Sequence, residues 1–177
     1  MTDRSLATRG VLGLGNLMRM DDAVGMLALD ELEASPELPR NVRLVEGGTL
    51  GLEIMGRIDG LTHIVALDAV DFGAEPGTVA RFAGKQLLNL PVSKSVHLLG
   101  FADLLAALQL LGTSPEEIVL LGVQPGSTDW GTVPTAPVRA AMATLVNRTL
   151  EQLAQWEKTS PSTESQTSVA GSALAQV

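Results

Sequence analysis

The stretch Val11-Leu12-Gly13-Leu14-Gly15-Asn16, followed closely by Met20-Asp21-Asp22, decides the fold of this chain. Two apolar residues of a buried strand run into glycines, and two carboxylates follow where a helix is expected to begin. This order is typical of a strand that turns into a helix in an α/β fold. The turn therefore brings two acids to the carboxyl end of the first strand.

A dinucleotide-binding loop is the obvious alternative explanation for a glycine-rich turn. That fingerprint needs a third glycine at the helix start and an acid about 20 residues further on, after the second strand. Position 18 is Met18 instead. A phosphate at this helix N-terminus would also be repelled by the carboxylates of Asp21 and Asp22. The turn therefore indicates a cationic ligand, and a Rossmann-like nucleotide-binding module stays a minor alternative.

The composition excludes several classes of function. The chain has 177 residues and no cysteine, which gives one domain an ample core and excludes disulfides, thiolate nucleophiles and cysteine metal sites. The net charge of −8 argues against nucleic acid as a partner, because phosphate binding depends on clustered Lys and Arg. No apolar run approaches the ~20 residues of a membrane span. The N-terminus lacks the apolar core of a signal peptide, so we expect a cytoplasmic protein with no membrane partner.

Strands and helices alternate along the chain as in a doubly wound α/β fold. The patterns predict, in order, a strand at 10–14, a helix at 23–34, a strand at 42–46, a short helix ending at 58, strands at 64–67 and 78–82, a helix at 96–111, a strand at 118–123 and a helix from 135 to 156. The uninterrupted apolar strand at 118–123 is typical of a sheet that helices cover on both faces. We therefore expect three layers, with the sheet in the middle.

The character of the sequence changes near residue 157. Residues 157–177 are rich in Ser, Thr, Ala and Gln and show no convincing period. The sequence thus predicts a single domain over 1–156 and a disordered tail over 157–177.

Three polar residues fall where a parallel α/β sheet binds its ligands, beyond the carboxyl ends of the strands. Asp22 follows the first strand, Asp68 closes the third, and His97 begins the helix after the fourth. Two carboxylates and one imidazole suit a divalent metal and leave coordination positions open. Each residue alone has an ordinary structural explanation, as a cap, a turn former or a hydrogen-bonded histidine. Their convergence from three segments favours a metal-binding site.

Several neighbouring residues keep two interpretations open. Asp21 is either a helix-capping group or a residue that shares the role of Asp22. The stretch 47–49 either lets an extended peptide approach closely or forms a tight turn capped by its threonine. Gln124 could line the cleft, and Asp71 is interpreted as a solvated loop charge. His63, just before the third strand, is interpreted as structural or as a surface residue.

The ordered set of motifs resembles the nickel–iron hydrogenase maturation endopeptidases. The resemblance runs from about residue 11 to residue 156, and the motifs that carry it are Gly13-Leu14-Gly15-Asn16 with Asp21-Asp22, Glu46-Gly47-Gly48-Thr49, Leu67-Asp68-Ala69-Val70-Asp71, Glu75-Pro76-Gly77 and His97-Leu98-Leu99-Gly100. It implies a twisted, largely parallel sheet with helices on both faces. It also implies a protease that removes a short C-terminal extension from the hydrogenase large-subunit precursor once nickel has been delivered.

The resemblance assigns roles to the three polar residues. Asp22, Asp68 and His97 fall on the positions that contact nickel in the family, and the nickel is expected to come with the substrate. Because three oxygen and nitrogen donors are incomplete for nickel, cysteine thiolates of the precursor would complete the set. Our hypothesis is that Asp22, Asp68 or the metal then activates water for peptide hydrolysis. A scaffold that binds the precursor without cleaving it stays the alternative.

Overall fold

The computed structural model describes residues 8–49, 52–89 and 96–159, with side chains for all of these except 88–89 and 96–100. The strands and helices are, in chain order, β1 (Arg9–Leu14), a 3₁₀ turn (Met20–Ala23), α1 (Val24–Glu33), β2 (Val42–Gly48), a 3₁₀ turn (Leu52–Ile54), α2 (Met55–Ile58), β3 (His63–Ala69), β4 (Val79–Ala83), a 3₁₀ helix (Gly84–Asn89), α3 (Val96–Leu111), β5 (Glu117–Val123) and α4 (Ala136–Thr159). None of the described helices is long and apolar enough to cross a membrane.

The described strands form a five-stranded sheet in the order β2-β1-β3-β5-β4. Strands β2, β1, β3 and β5 are parallel, and β4 pairs antiparallel with β5 at one edge. The four parallel strands therefore all end on the same side of the sheet. This carboxyl-terminal edge, across the strand ends, is where α/β proteins bind ligands. The predicted mostly parallel sheet is confirmed.

Helices cover both faces of the sheet, which gives the three expected layers. Alternate residues of each buried strand point to opposite faces, so that Val11 and Leu12 belong to two separate apolar clusters. The cluster around Val11 includes residues of α1 and α4, and the cluster around Leu12 includes residues of α2 and α3. Both faces are apolar because both are buried against helices.

Some predicted boundaries are wrong by a few residues. Strand β3 runs from His63 to Ala69, so Asp68 is its penultimate residue and not its last, and His63 is its first residue. Strand β2 continues through Gly48, since a register shift between Gly13 and Leu14 brings Leu14 opposite Gly48. Gly47 and Gly48 therefore form the end of a strand and not a turn.

The predicted end of the last helix at residue 156 is also too early. Helix α4 continues to Thr159, and Glu157 Oε1 lies 3.4 Å from an Nη atom of the buried Arg9. The ion pair attaches the last turn of the helix to the start of β1. The remainder of the predicted tail, 160–177, lies outside the described residues.

Both edge strands have a backbone carbonyl that accepts a hydrogen bond from an arginine side chain. Arg57, in α2, donates from Nη1 to the carbonyl oxygen of Glu46 on β2 at 2.6 Å. Arg148, in α4, donates from Nη1 to the carbonyl oxygen of Val79 on β4 at 2.7 Å. A side chain thus occupies an outward-facing acceptor on each edge of the sheet.

Helix α1 packs very closely against the carboxyl ends of β1 and β3. A Cβ atom on Gly25, in the first turn of the helix, would overlap the carbonyl oxygens of both Leu14 and Leu67. Only glycine allows the helix to sit this close to the strand ends. The approach fixes the position of the preceding turn, which contains Asp21 and Asp22.

We expect Gly25→Ala to lower the free energy of unfolding by roughly 1–3 kcal/mol, because the rigid backbone of two strands has to move to admit the methyl group. The matched control is Gly56→Ala in α2, where a Cβ atom would meet no atom within 4 Å. The control should be neutral or slightly stabilising, since alanine favours helix. Urea denaturation of the two variants is the measurement, and equal midpoints would contradict the close approach.

Candidate functional site

Asp22 and Asp68 lie at the carboxyl ends of two neighbouring parallel strands. Asp22 follows β1, and Asp68 is the penultimate residue of β3, one position beyond the Gly13–Leu67 pair that joins the two strands. The side chains are nearly or fully buried, with 6% of Asp22 and 0% of Asp68 exposed. The sequence prediction that the fold brings these acids to one edge of the sheet is therefore confirmed.

The turn that carries Asp22 folds back on itself. Gly15 has a φ of 124°, and a Cβ atom there would overlap the carbonyl oxygen of Asp22. The next residue, Asn16, donates its backbone N–H to Oδ2 of Asp22 at 3.1 Å. The glycine after β1 is thus required for close backbone packing, which brings an N–H group onto the carboxylate of Asp22.

Asp68 is held within the central part of the sheet. Its strand lies between β1 and β5, and the residue opposite it on β5 is Gly122. Oδ1 of Asp68 accepts the backbone N–H of Ala69 at 2.8 Å. The carboxylate is therefore fixed by its own strand in a site from which water is largely excluded.

The third predicted site residue, His97, is the second residue of α3, as the predicted helix requires. Its side chain lies outside the described residues. In the part of the chain whose side chains are described, no group of three His, Asp or Glu side chains could hold a metal ion. Of the three predicted site residues, the structure therefore describes the side chains of Asp22 and Asp68.

Asp21 has a different role from its neighbour. Its side chain is fully buried, and its two oxygens accept hydrogen bonds from the N–H groups of Gly126, Ser127 and Thr135 and from the hydroxyl of Thr135, at 2.5–2.9 Å. These donors come from the loop between β5 and α4. The interpretation that Asp21 shares the role of Asp22 is therefore not favoured, and its carboxylate ties two loops together.

The loops after β1 and β5 also pair through their backbones. Met20 donates its N–H to the carbonyl oxygen of Gly131 at 2.8 Å, and Gly131 donates its N–H to that of Met18 at 3.0 Å. Met20 has a φ of 41°, which non-glycine residues rarely adopt. Such strain persists only where the surroundings enforce it. The pairing thus holds the turn before Asp22 in a set conformation.

Gln124 and Asp71 organise the loop after β3. The buried side chain of Gln124 accepts the N–H groups of Phe72 and Ala74 at 2.9 and 3.2 Å and donates to Oδ1 of Asp71 at 3.1 Å. Asp71 is half-buried, so it is more than the solvated loop charge that the sequence suggested. Gln124 lies at the expected edge of the sheet, and its amide shapes the loop.

His63 is structural, as interpreted from the sequence. Its ring packs edge-on against Trp156 with centroids 5.0 Å apart, and Nδ1 lies 2.9 Å from the hydroxyl oxygen of Thr62. It lies at the amino end of β3, at the opposite edge from Asp68. The histidine is therefore remote from the candidate site.

The chemistry of the site follows from its two buried carboxylates. Taking a carboxylate out of water is costly unless a cation, a proton or hydrogen-bond donors compensate it. Asp22 and Asp68 can therefore bind a divalent cation, or accept a proton from an attacking water. A phosphate at the N-terminus of α1 would meet the same negative charge, which argues against the nucleotide-binding alternative.

Comparison with known proteins agrees with this fold and site. The family model described as hydrogenase maturation protease matches residues 26–152. Hydrogenase 2 maturation protease of Escherichia coli is 33% identical over 145 residues, which cover 81% of this chain and 86% of that protein. The hydrogenase expression/formation protein HupD of Bradyrhizobium diazoefficiens is 34% identical over 155 residues, with 82% and 78% covered.

Solved structures show the same architecture. The hydrogenase maturating endopeptidase HybD from Escherichia coli superposes with a TM-score of 0.79 at 31% identity, over 84% of this chain and 93% of that one. The maturation protease HycI from Thermococcus kodakarensis gives a TM-score of 0.66 at 26% identity, over 85% and 94%. The chain belongs to the hydrogenase maturation protease family. It is therefore a peptidase that acts in hydrogenase maturation, as the resemblance implied.

We expect Asp21→Ala to lower the free energy of unfolding by roughly 2–4 kcal/mol, because it removes the buried acceptor of four hydrogen bonds from the loop between β5 and α4. The matched control is Asp129→Ala in the same loop, since Asp129 is exposed and its carboxylate accepts the hydroxyl of Ser127. The control should change stability by no more than about 0.5 kcal/mol. Urea denaturation compares them, and an equal effect of both would refute the role of Asp21.

Proposed function

We propose that this peptidase removes the C-terminal extension of a nickel–iron hydrogenase large-subunit precursor after nickel insertion, in the cytoplasm. The observation that carries the proposal is the pair of buried carboxylates, Asp22 and Asp68, at the ends of adjacent strands. In a chain of the hydrogenase maturation protease family, this pair is suited to a cation and to hydrolysis of a peptide bond.

The nickel belongs to the substrate in this proposal. Asp22 and Asp68 supply oxygen ligands and His97 a nitrogen ligand, while thiolates of the precursor supply the soft ligands that nickel also accepts. The absence of cysteine from the chain is consistent with this division. Recognition of the metal then restricts cleavage to precursors that have already received it.

The proposed chemistry is hydrolysis at a precisely positioned peptide bond. Water attacks the scissile carbonyl carbon, its proton passes to a carboxylate of Asp22 or Asp68, and the departing amine takes up a proton as the C–N bond breaks. Alternatively, the substrate's nickel lowers the pKa of the attacking water. Anchoring the precursor by its metal contributes through positioning, an effect that can supply ~7 kcal/mol or more.

The first test is mass spectrometry of a large-subunit precursor incubated with the enzyme, with and without nickel loaded. We expect a C-terminal peptide to be released only from the nickel-loaded precursor. Equal cleavage of both samples would contradict metal recognition. Binding without cleavage in either sample would favour the alternative in which the protein is a scaffold for hydrogenase assembly.

The second test is substitution of the proposed ligands. Asp68→Asn and His97→Ala should each lower the cleavage rate by about 10²-fold or more, because each removes a group that contacts the reacting centre. The matched controls are Asp30→Asn, an exposed carboxylate on α1, and His63→Ala, the remote histidine. Both controls should cleave at the rate of the unsubstituted protein. An unimpaired His97→Ala variant would show that the histidine does not bind the nickel.

A further inference from the structure

Exposed apolar side chains are concentrated on the two loops that pair beside the candidate site. Of the seven large hydrophobic residues that are exposed in the described part of the chain, four lie on these loops, and we call them the apolar rim: Leu17 (47% exposed), Met18 (53%), Trp130 (76%) and Val133 (59%). Apolar surface of this kind, next to polar groups, commonly marks a place where another protein binds.

The rim lies across the end of β3. The loop after β1 carries Met18, and the loop after β5 carries Trp130, while β3 lies between those two strands in the sheet. The loops nevertheless hydrogen-bond to each other, through Gly131 and its partners Met18 and Met20. The rim is therefore continuous with the site, since Asp68 is near the end of β3 and Asp22 follows Met20 in the chain.

The rim is also held in shape before any partner arrives. Nε of Arg19 donates to the carbonyl oxygen of Thr128 at 2.9 Å, and the guanidinium carbon lies 5.6 Å from the centroid of the Trp130 ring. This cation–π contact orients an indole that is otherwise exposed. Ordering the side chain in the free protein lowers the entropy that binding has to remove.

We propose that the apolar rim is the docking surface for the precursor segment beside the scissile bond, with an apolar side chain of that segment packed on Trp130 and Met18. The proposal rests on the proposed function, since a precursor chain that reaches Asp22 and Asp68 has to lie against this edge of the sheet. Tryptophan provides a large contact area at little entropic cost and frequently dominates binding energy at interfaces. The occupant is thus an apolar peptide segment of the hydrogenase precursor.

The test is steady-state cleavage of nickel-loaded precursor, with KM and kcat determined separately. Trp130→Ala should raise KM about ten-fold and leave kcat within two-fold, because the lost contact lies beside the reacting bond and not at it. Trp130→Phe, which keeps an aromatic face, should restore most of the affinity. Met18→Ser is an independent variant on the other loop and should raise KM as well.

The matched control is Leu110→Ala, an apolar side chain that is 87% exposed near the end of α3. Helix α3 runs toward the amino end of β5, at the opposite edge of the sheet, so KM should not change. Unaltered KM in Trp130→Ala and Met18→Ser would overturn the proposal. A loss of kcat with unaltered KM would overturn it too, because it would assign the rim to the chemical step.

A binding measurement separates this proposal from the proposed function. Biolayer interferometry measures the dissociation constant for nickel-free precursor, which the protein is not expected to cleave. If the unsubstituted protein cleaves nothing but Trp130→Ala weakens binding about ten-fold, the proposed function fails and the docking surface stands. If Trp130→Ala instead dissociates a dimer in sedimentation experiments and binds precursor normally, the rim is a contact between two copies and the proposal is wrong.

Discussion

The hydrogen bonds that the buried carboxylate of Asp21 accepts are the interaction on which the rest of the site depends. It joins the turn before α1 to a loop more than 100 residues away in the chain, through three backbone N–H groups and one hydroxyl. Charged acceptors make stronger hydrogen bonds than neutral ones, particularly where water is excluded. The hydrogen bonds of Asp21 therefore fix the position of the adjacent residue, Asp22, although Asp21 itself takes no part in the proposed chemistry.

Much of the fold could be predicted because the decisive signals are local. Apolar runs such as 64–67 and 118–123 identify buried parallel strands without any knowledge of their partners. Once the strands are placed, the topology of an α/β sheet brings Asp22 and Asp68 to the same edge. The location of the two site carboxylates could therefore be predicted from the sequence.

The loop between β5 and α4 could not be predicted, since its conformation depends on distant residues. Gly126, Ser127 and Thr135 look like ordinary turn residues, and only the folded chain brings them around Asp21. The same limit applies to β2, which extends to Gly48 because of a register shift against β1. Long-range pairing of this kind leaves no local pattern, so neither the paired loops nor the exposed Trp130 could be anticipated.

The arginines on the two edge strands have a consequence for the behaviour of the protein in a crowded solution. A sheet edge with free carbonyl and N–H groups is a template onto which a strand from another molecule can add, and this addition begins aggregation. Here Arg57 occupies the carbonyl of Glu46, and Arg148 occupies that of Val79. An incoming strand would have to displace a charged hydrogen bond at either edge, which makes such addition less favourable.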